Sequence, residues 1–184
     1  MPAFRFNGYV IVSAEGMLAD SAGVMPDALK FPGDQRFFAA SLDRADLIVH
    51  GKNSFEDQPN SPKRNRIVLS RSIDTVAPDP GNAKATLWNP AGATFEEACA
   101  MAGIQAGTIA VIGGPVVFEM FFDRFDVFWL SRAPDVHLPD GAPCVPGVPA
   151  QSPQAILAAH GLRADEVEIL DAEHQVTVTA WRRV

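Results

Sequence analysis

Basic residues are the minority of the charge in this 184-residue chain: 15 Lys and Arg stand against 22 Asp and Glu, a net charge of −7. Nucleic-acid binding needs a basic face, so this balance argues against such a partner. Cysteine is scarcer still. Cys99 and Cys144 are the only 2, with no metal-ligand spacing between them. Cys99 sits in an apolar helical run as a small core residue, and the pair together points to a reducing, cytosolic compartment. The 4 histidines, His50, His137, His160 and His174, are too scattered for a metal motif, and no metal is expected. No apolar run approaches the roughly 18 residues of a membrane span. The opening Met1-Pro2-Ala3-Phe4-Arg5-Phe6 lacks a signal-peptide layout, which again implies a cytoplasmic protein. Ser13, Ser70 and Ser131 lack a Gly-x-Ser-x-Gly elbow, so a hydrolase triad has no support. There is no internal repeat.

What is present is an ordinary globular balance, 47% apolar and 20% charged, long enough for one domain with a full core. Strand signals fall at Phe4 to Ser13, Leu47 to Gly51, Arg66 to Ser70, Ala85 to Trp88, Thr108 to Ile112, Asp126 to Ser131, Val167 to Leu170 and Gln175 to Arg182. Helix signals lie between them. Asp34 to Arg44 has Asp34 as a plausible N-cap, Ser54 to Asp57 reads as a helical turn, and Thr94 to Glu97 opens a helix with a capping-box look. A further helix runs from Pro115 to Phe122, and Ala155 to His160 reads as a short surface helix. Ala14 to Gly33 is a long loop, of a length that is usually functional. Thr75 to Ala83 and Ala133 to Pro153 read as irregular, and Glu15 and Asp20 as solvated loop charges. Strands alternating with helices, then an antiparallel end, predict an α/β fold with a mostly parallel sheet and a mixed edge.

The most informative segment is Ala110 to Met120. A buried strand ends in Ile112-Gly113-Gly114, and Pro115 suits the first position of the helix that follows. Free N–H groups at such a junction, with no Cβ nearby, let a phosphate approach the backbone. Packing alone is an equally ordinary reason for Gly-Gly. Two further strands end in turns with a cation: Gly51-Lys52-Asn53-Ser54 and Leu69-Ser70-Arg71. Two cations and nearby hydroxyls at neighbouring strand ends suit a 2′-phosphate, although Lys52 and Arg71 also read as solvated loop charges.

These segments, in order, resemble the dihydrofolate reductase-like superfamily, which includes the reductase domain of bacterial riboflavin biosynthesis proteins. Val111-Ile112-Gly113-Gly114 with Phe118-Glu119 is similar to that family's Gly-Gly turn and helix. His50-Gly51-Lys52-Asn53-Ser54-Phe55-Glu56 is similar to its Met-Gly-Arg-x-Thr-Trp-Glu segment. Val68-Leu69-Ser70-Arg71 resembles the strand end that holds the adenosine phosphate, and Val24-Met25-Pro26 the mobile loop over the nicotinamide. Asp34-Gln35-Arg36-Phe37-Phe38 resembles a helix start carrying a carboxylate followed by aromatics. The resemblance implies a single dihydrofolate reductase-like domain over residues 1–184, helices on both faces of the sheet, and a cis Gly113–Gly114 bond. It also implies NADPH as cofactor, held by Ala14, Gly51, Lys52, Asn53, Ser54, Leu69, Ser70, Arg71, Ile112, Gly113, Gly114, Pro115, Val116, Val117 and Phe118.

For the substrate, the resemblance implies a flat heterocycle: a pterin of dihydrofolate or dihydromethanopterin type, or a riboflavin-pathway aminouracil. Hydride would go to a C=N bond. Asp34, supported by Ser131, would orient the ring and ease protonation at nitrogen. Asp34, Phe37 and Phe38 share one helix face by spacing, while Asp34 as a simple cap stays open. Met25 and Leu29 would cover the ring or anchor the loop. The chain also departs from the pattern. The family tryptophan after Met-Pro is Asp27, a second candidate acid. A helix tyrosine is Phe118. The riboflavin-type Asp-Gly-Lys is Glu15-Gly16-Met17, so its substrate cation is missing unless Lys30 replaces it. Those departures also leave open a nucleotide-binding module that has lost catalysis. Riboflavin-type relatives are dimers and many folate-type relatives monomers, so a homodimer is one of two states implied. His50, on a buried strand before Gly51, reads as a satisfied core or site-edge histidine.

Overall fold

The structure is a computed structural model that describes residues 3–184. Its centre is one nine-stranded sheet. In chain order the strands are β1 (Phe4–Val12), β3 (Leu47–His50), β4 (Arg66–Leu69), β5 (Val76–Pro78), β6 (Ala85–Trp88), β7 (Gly107–Val111), β8 (Phe125–Arg132), β10 (Leu162–Asp171) and β11 (Val176–Arg183). Across the sheet they lie β10-β11-β8-β1-β7-β3-β4-β6-β5. The strands from β8 to β6 pair in parallel. Antiparallel neighbours close both edges: β11 and β10 on one, β5 on the other. A small separate pair, β2 (Met17–Ala19) and β9 (Ala142–Pro143), lies outside this sheet.

Side-chain alternation decides where the helices sit. Leu47, Val49, Ile109 and Val111 point to one face and join a core with α2 (Phe95–Met101), α3 (Pro115–Phe121) and α4 (Pro153–Ala159). Their neighbours Ile48 and Ala110, with Tyr9, point to the other face and meet Leu42 of α1 (Pro32–Arg44). The sheet is mostly parallel, as the strand and helix signals predict, and helices cover both its faces, as the resemblance implies. Thr94 caps α2 with a complete capping box: its Oγ1 takes the Glu97 N–H at 3.1 Å, and Glu97 takes the Thr94 N–H at 2.6 Å.

Several boundaries move. The loop expected over residues 14–33 contains β2 and a short 3-10 turn, Asp27–Leu29. Residues 54–57 form no helical turn; the turn lies later, at Ser61–Lys63. Residues 75–83 contain β5. The edge strand β10 is ten residues long, where the sequence signals only Val167 to Leu170, and its stretch Arg163 to Ile169 is exposed. Among the described residues no helix is long and apolar enough to cross a membrane. Nor do three or more His, Cys, Asp or Glu side chains there gather into a set that could hold a metal ion.

Candidate active site

Parallel strands send their connections off at one end of the sheet, where ligand crevices form. The turns after β3 and β7 meet there. Gly51 N donates to Gly113 O at 2.8 Å, and Ile112 N to Val49 O at 3.0 Å. Gly113 sits at φ +116°, open to glycine and strained for other residues, and the Gly113–Gly114 peptide is cis. Ser54 N donates to Gly51 O at 3.1 Å. Its hydroxyl lies beside both glycines, 3.5 Å from where a Cβ on either would be. Pro115 starts α3 as expected.

β4 runs beside β3, so its turn leaves at the same edge. Ser70 N donates to Trp88 O at 2.9 Å, and its Oγ lies 2.7 Å from Ser72 Oγ. Lys52, Asn53 and Arg71 are exposed, with Leu69 and Ser70 half-buried before Arg71. Among the described residues neither Lys52 nor Arg71 is paired with a carboxylate. The structure therefore brings Gly51 to Ser54 against Ile112 to Pro115, with the Leu69–Arg71 turn alongside. Val116 is exposed, but Val117 and Phe118 face inward. Phe118 packs edge-on to Phe128 at 5.3 Å. These two support the turn from beneath and do not line a ligand surface, because positions three and four of α3 turn toward the sheet. Ala14 is exposed, its N–H spent on Val136 O at 2.8 Å.

The substrate half is set by α1. The helix starts two residues earlier than the sequence signals suggest: Phe31 is its N-cap residue and Pro32 its first turn. Asp34 is consequently no cap. Gly33 makes this entry possible, because a Cβ there would collide with the carbonyl of Leu170 on β10. Asp34 then faces the sheet, 8% exposed. Burial pushes its carboxyl up to about 6, against the opposing pull of the Ser131 hydroxyl. Ser131 is buried on β8, in register with Ile11 of β1 and Val178 of β11.

The competing acid lies in solvent. The Asp27 side chain is 98% exposed and pairs with Lys30 at 3.1 Å. Lys30 is thereby occupied in solvent, and Met17, an uncharged side chain buried in the core, supplies no cation in its place. Leu29 is fully buried with Ile11, Ala133, Val136 and Val176, so it anchors the loop and covers no ring. Met25, half-buried on the same cluster, keeps a face at the surface. Phe37 and Phe38 pack toward the sheet against Tyr9 at 6.3 and 6.2 Å, and Phe37 meets Trp129 at 5.4 Å. Phe37 also lines a cavity of about 780 Å³ with Asn7, Arg44 and Thr108, toward the strand starts and away from the turns.

Sequence reasoning missed two features. Glu15, expected to be solvated, binds Leu138 N at 2.6 Å, His137 Nδ1 at 2.8 Å and Ser13 Oγ at 3.0 Å. The Leu138 amide is the main influence holding its carboxyl low, at about 2. This clamp ties the loop after β1 to the segment after β8. The second is a buried polar network around Arg64, Arg66, Glu56 and His50. The first joins residues more than a hundred apart in sequence, and the second joins charges along residues 50–66 that no helical or strand spacing pairs.

No protein-family model and no curated protein sequence matches the chain. Solved structures do. A Shewanella sp. PV-4 protein provisionally named for riboflavin biosynthesis superposes with a TM-score of 0.69 at 22% identity, over 98% of this chain and 99% of that one. Dihydrofolate reductase from Enterococcus faecalis, in complex with NADP(H) and RAB-propyl, superposes at 0.67 with 18% identity, over 97% and 96%. The fold is that of dihydrofolate reductase. At these identities the likeness covers architecture and leaves chemistry to the residues of this dihydrofolate reductase-like chain.

Proposed function

We propose that the chain is an NADPH-dependent reductase that delivers hydride to a C=N bond of a pterin or a related pyrimidine. The observation that carries the reading is Asp34: a buried carboxyl with no cation on it, held near neutral pKa, on the helix flanking the crevice. Such groups are expensive to bury and mark functional sites. It would bind an amino-pyrimidine edge and keep a proton available as the ring nitrogen becomes basic. Ser131 would hold the carboxyl in place.

The other half of the crevice fits a dinucleotide phosphate. Gly113 and Gly114 leave the backbone open beside the Ser54 hydroxyl. Lys52 and Arg71 stand unpaired at adjacent strand ends, where a 2′-phosphate would be recognised by charge-assisted bonds. When bound, the reduced nicotinamide would supply the hydride. The neighbour that was solved with NADP(H) supports the same assignment.

A riboflavin-pathway aminouracil is the second reading, favoured by the Shewanella neighbour's name. Incubation with NADPH and a panel of dihydropterins and aminouracils, followed at the reduced-nicotinamide absorbance band, separates the two. Turnover on a dihydropterin supports the first reading and turnover on an aminouracil the second. Tight NADPH binding with no turnover on either class points to a binding module, and absence of NADPH binding overturns all three.

A further inference from the structure

Arg66 is buried on the α1 face of the sheet, 1% exposed. Its Nη2 donates to Glu56 Oε1 at 2.5 Å and to Ser61 O and Oγ at 3.1 Å each. Phe55 covers the guanidinium, with the ring centre 4.6 Å from Cζ. Nη1 meets His50 Nε2 at 3.1 Å. A guanidinium donates and cannot accept. His50 Nε2 must therefore be the bare nitrogen, and Nδ1 carries the hydrogen. Nδ1 lies 2.7 Å from Gly51 O, which is an acceptor only. One protonation state, the neutral Nδ1–H tautomer, satisfies both contacts. Burial favours that neutral state, with the bond to Gly51 opposing it and the Arg66 charge adding to it.

Gly51 passes the connection on, donating its own N–H to Gly113 O at 2.8 Å. An unbroken series of bonds thus runs from a buried ion pair, through one imidazole, to the Gly113–Gly114 turn. It also reaches the other half of the site. Arg64 joins Glu56 at 3.0 Å to Asp43 at 2.7 Å, and Asp43 lies on α1, the helix that carries Asp34.

We propose that His50 is a positioning residue for the dinucleotide-binding turns: its Nδ1–H fixes the Gly51 carbonyl and so seats Gly51 on Gly113, while Glu56 and Arg66 fix the imidazole. The ligand's identity rests on the NADPH reading above; the relay itself does not.

Two half-mimics test it. His50→Asn keeps a donor near the Nδ1 position and loses the acceptor for Arg66. His50→Gln keeps an acceptor near the Nε2 position and loses the donor to Gly51. NADPH affinity is expected to stay within about threefold of wild type in His50→Asn and to fall about tenfold in His50→Gln, the loss of one well-placed hydrogen bond. Thermal stability is expected to fall further in His50→Asn, so affinity and stability separate. In the ligand-free protein, imidazole ¹⁵N spectra at neutral pH are expected to show Nε2 unprotonated. Hydrogen exchange at Gly51 is expected to speed up in His50→Gln.

Affinity that tracks melting temperature across the variants, or unchanged Gly51 exchange in His50→Gln, overturns the proposal. The ¹⁵N spectra and the exchange need no cofactor. If wild type shows the expected tautomer and His50→Gln the faster exchange while NADPH does not bind, the relay stands and the cofactor assignment falls.

Discussion

Glu56 and Asp34 are both buried carboxyls, 6% and 8% exposed, and their surroundings are opposite. Glu56 lies between two guanidinium groups, Arg64 at 3.0 Å and Arg66 at 2.5 Å. Asp34 has no cation, only the Ser131 hydroxyl to soften its burial. The first arrangement neutralises a charge and fixes a loop against α1. The second leaves a carboxyl whose ionisation is costly and which therefore keeps its proton to about pH 6, well above an ordinary aspartate. Compensation marks the structural region, and its absence marks the candidate reactive one.

The sharpest way to break that contrast is to remove the compensated charge. Glu56→Gln leaves two buried guanidinium groups underpaired and is expected to cost about 3–5 kcal/mol of stability, measured by urea unfolding at pH 7. A cost below about 1 kcal/mol would place Glu56 among ordinary surface pairs.

Asp34→Asn should do the reverse. Activity on the responding heterocycle is expected to fall about 10²- to 10⁴-fold, the range of a lost general acid. Stability is expected to rise at neutral pH. The sign follows from the raised pKa: a folded state that binds the proton more tightly than the unfolded chain loses stability as pH climbs from near 4 through about 6. The burial cost of the charge is felt in full above that window, up to about 3 kcal/mol. Denaturant melts should show wild type and Asp34→Asn equal below about pH 4, diverging between about pH 4 and 6, and separated by a constant gap above. A variant less stable than wild type at pH 7 contradicts the reading.

Smaller effects sharpen the same map. Arg71→Ala is expected to weaken NADPH about tenfold and leave NADH unchanged, in direct binding titrations. Equal loss for both removes Arg71 from the 2′-phosphate. Ser131→Ala removes the hydroxyl that opposes the burial of Asp34, so the titration midpoint of that carboxyl should move further upward.

The candidate cofactor half was the easier of the two to pick out as a cluster because its signals are local. Gly51-Lys52, Ser70-Arg71 and Gly113-Gly114 each sit where an apolar strand stops, and parallel pairing brings the strand ends together. Asp34 was legible as a candidate from its spacing to Phe37 and Phe38. Its exact place in α1 was not, since Pro32 and Gly33 look like loop residues until Leu170, far along the chain, explains the glycine. Asp27 looked equivalent to Asp34, and only the path of the loop sends it to solvent. Leu29 and Phe118 sit at positions where a ligand contact was expected, but tertiary packing buries them in the core. His50 was legible as a satisfied buried histidine, but its partners in the Glu56–Arg66–His50 relay were not, because they come from two strands and an irregular segment.

The most direct test of the central contrast is a carboxyl ¹³C NMR titration of Asp34 in the ligand-free protein. A midpoint near 6 is expected. A midpoint near the ordinary aspartate value of about 3.9 would show a solvated or paired carboxylate and contradict it.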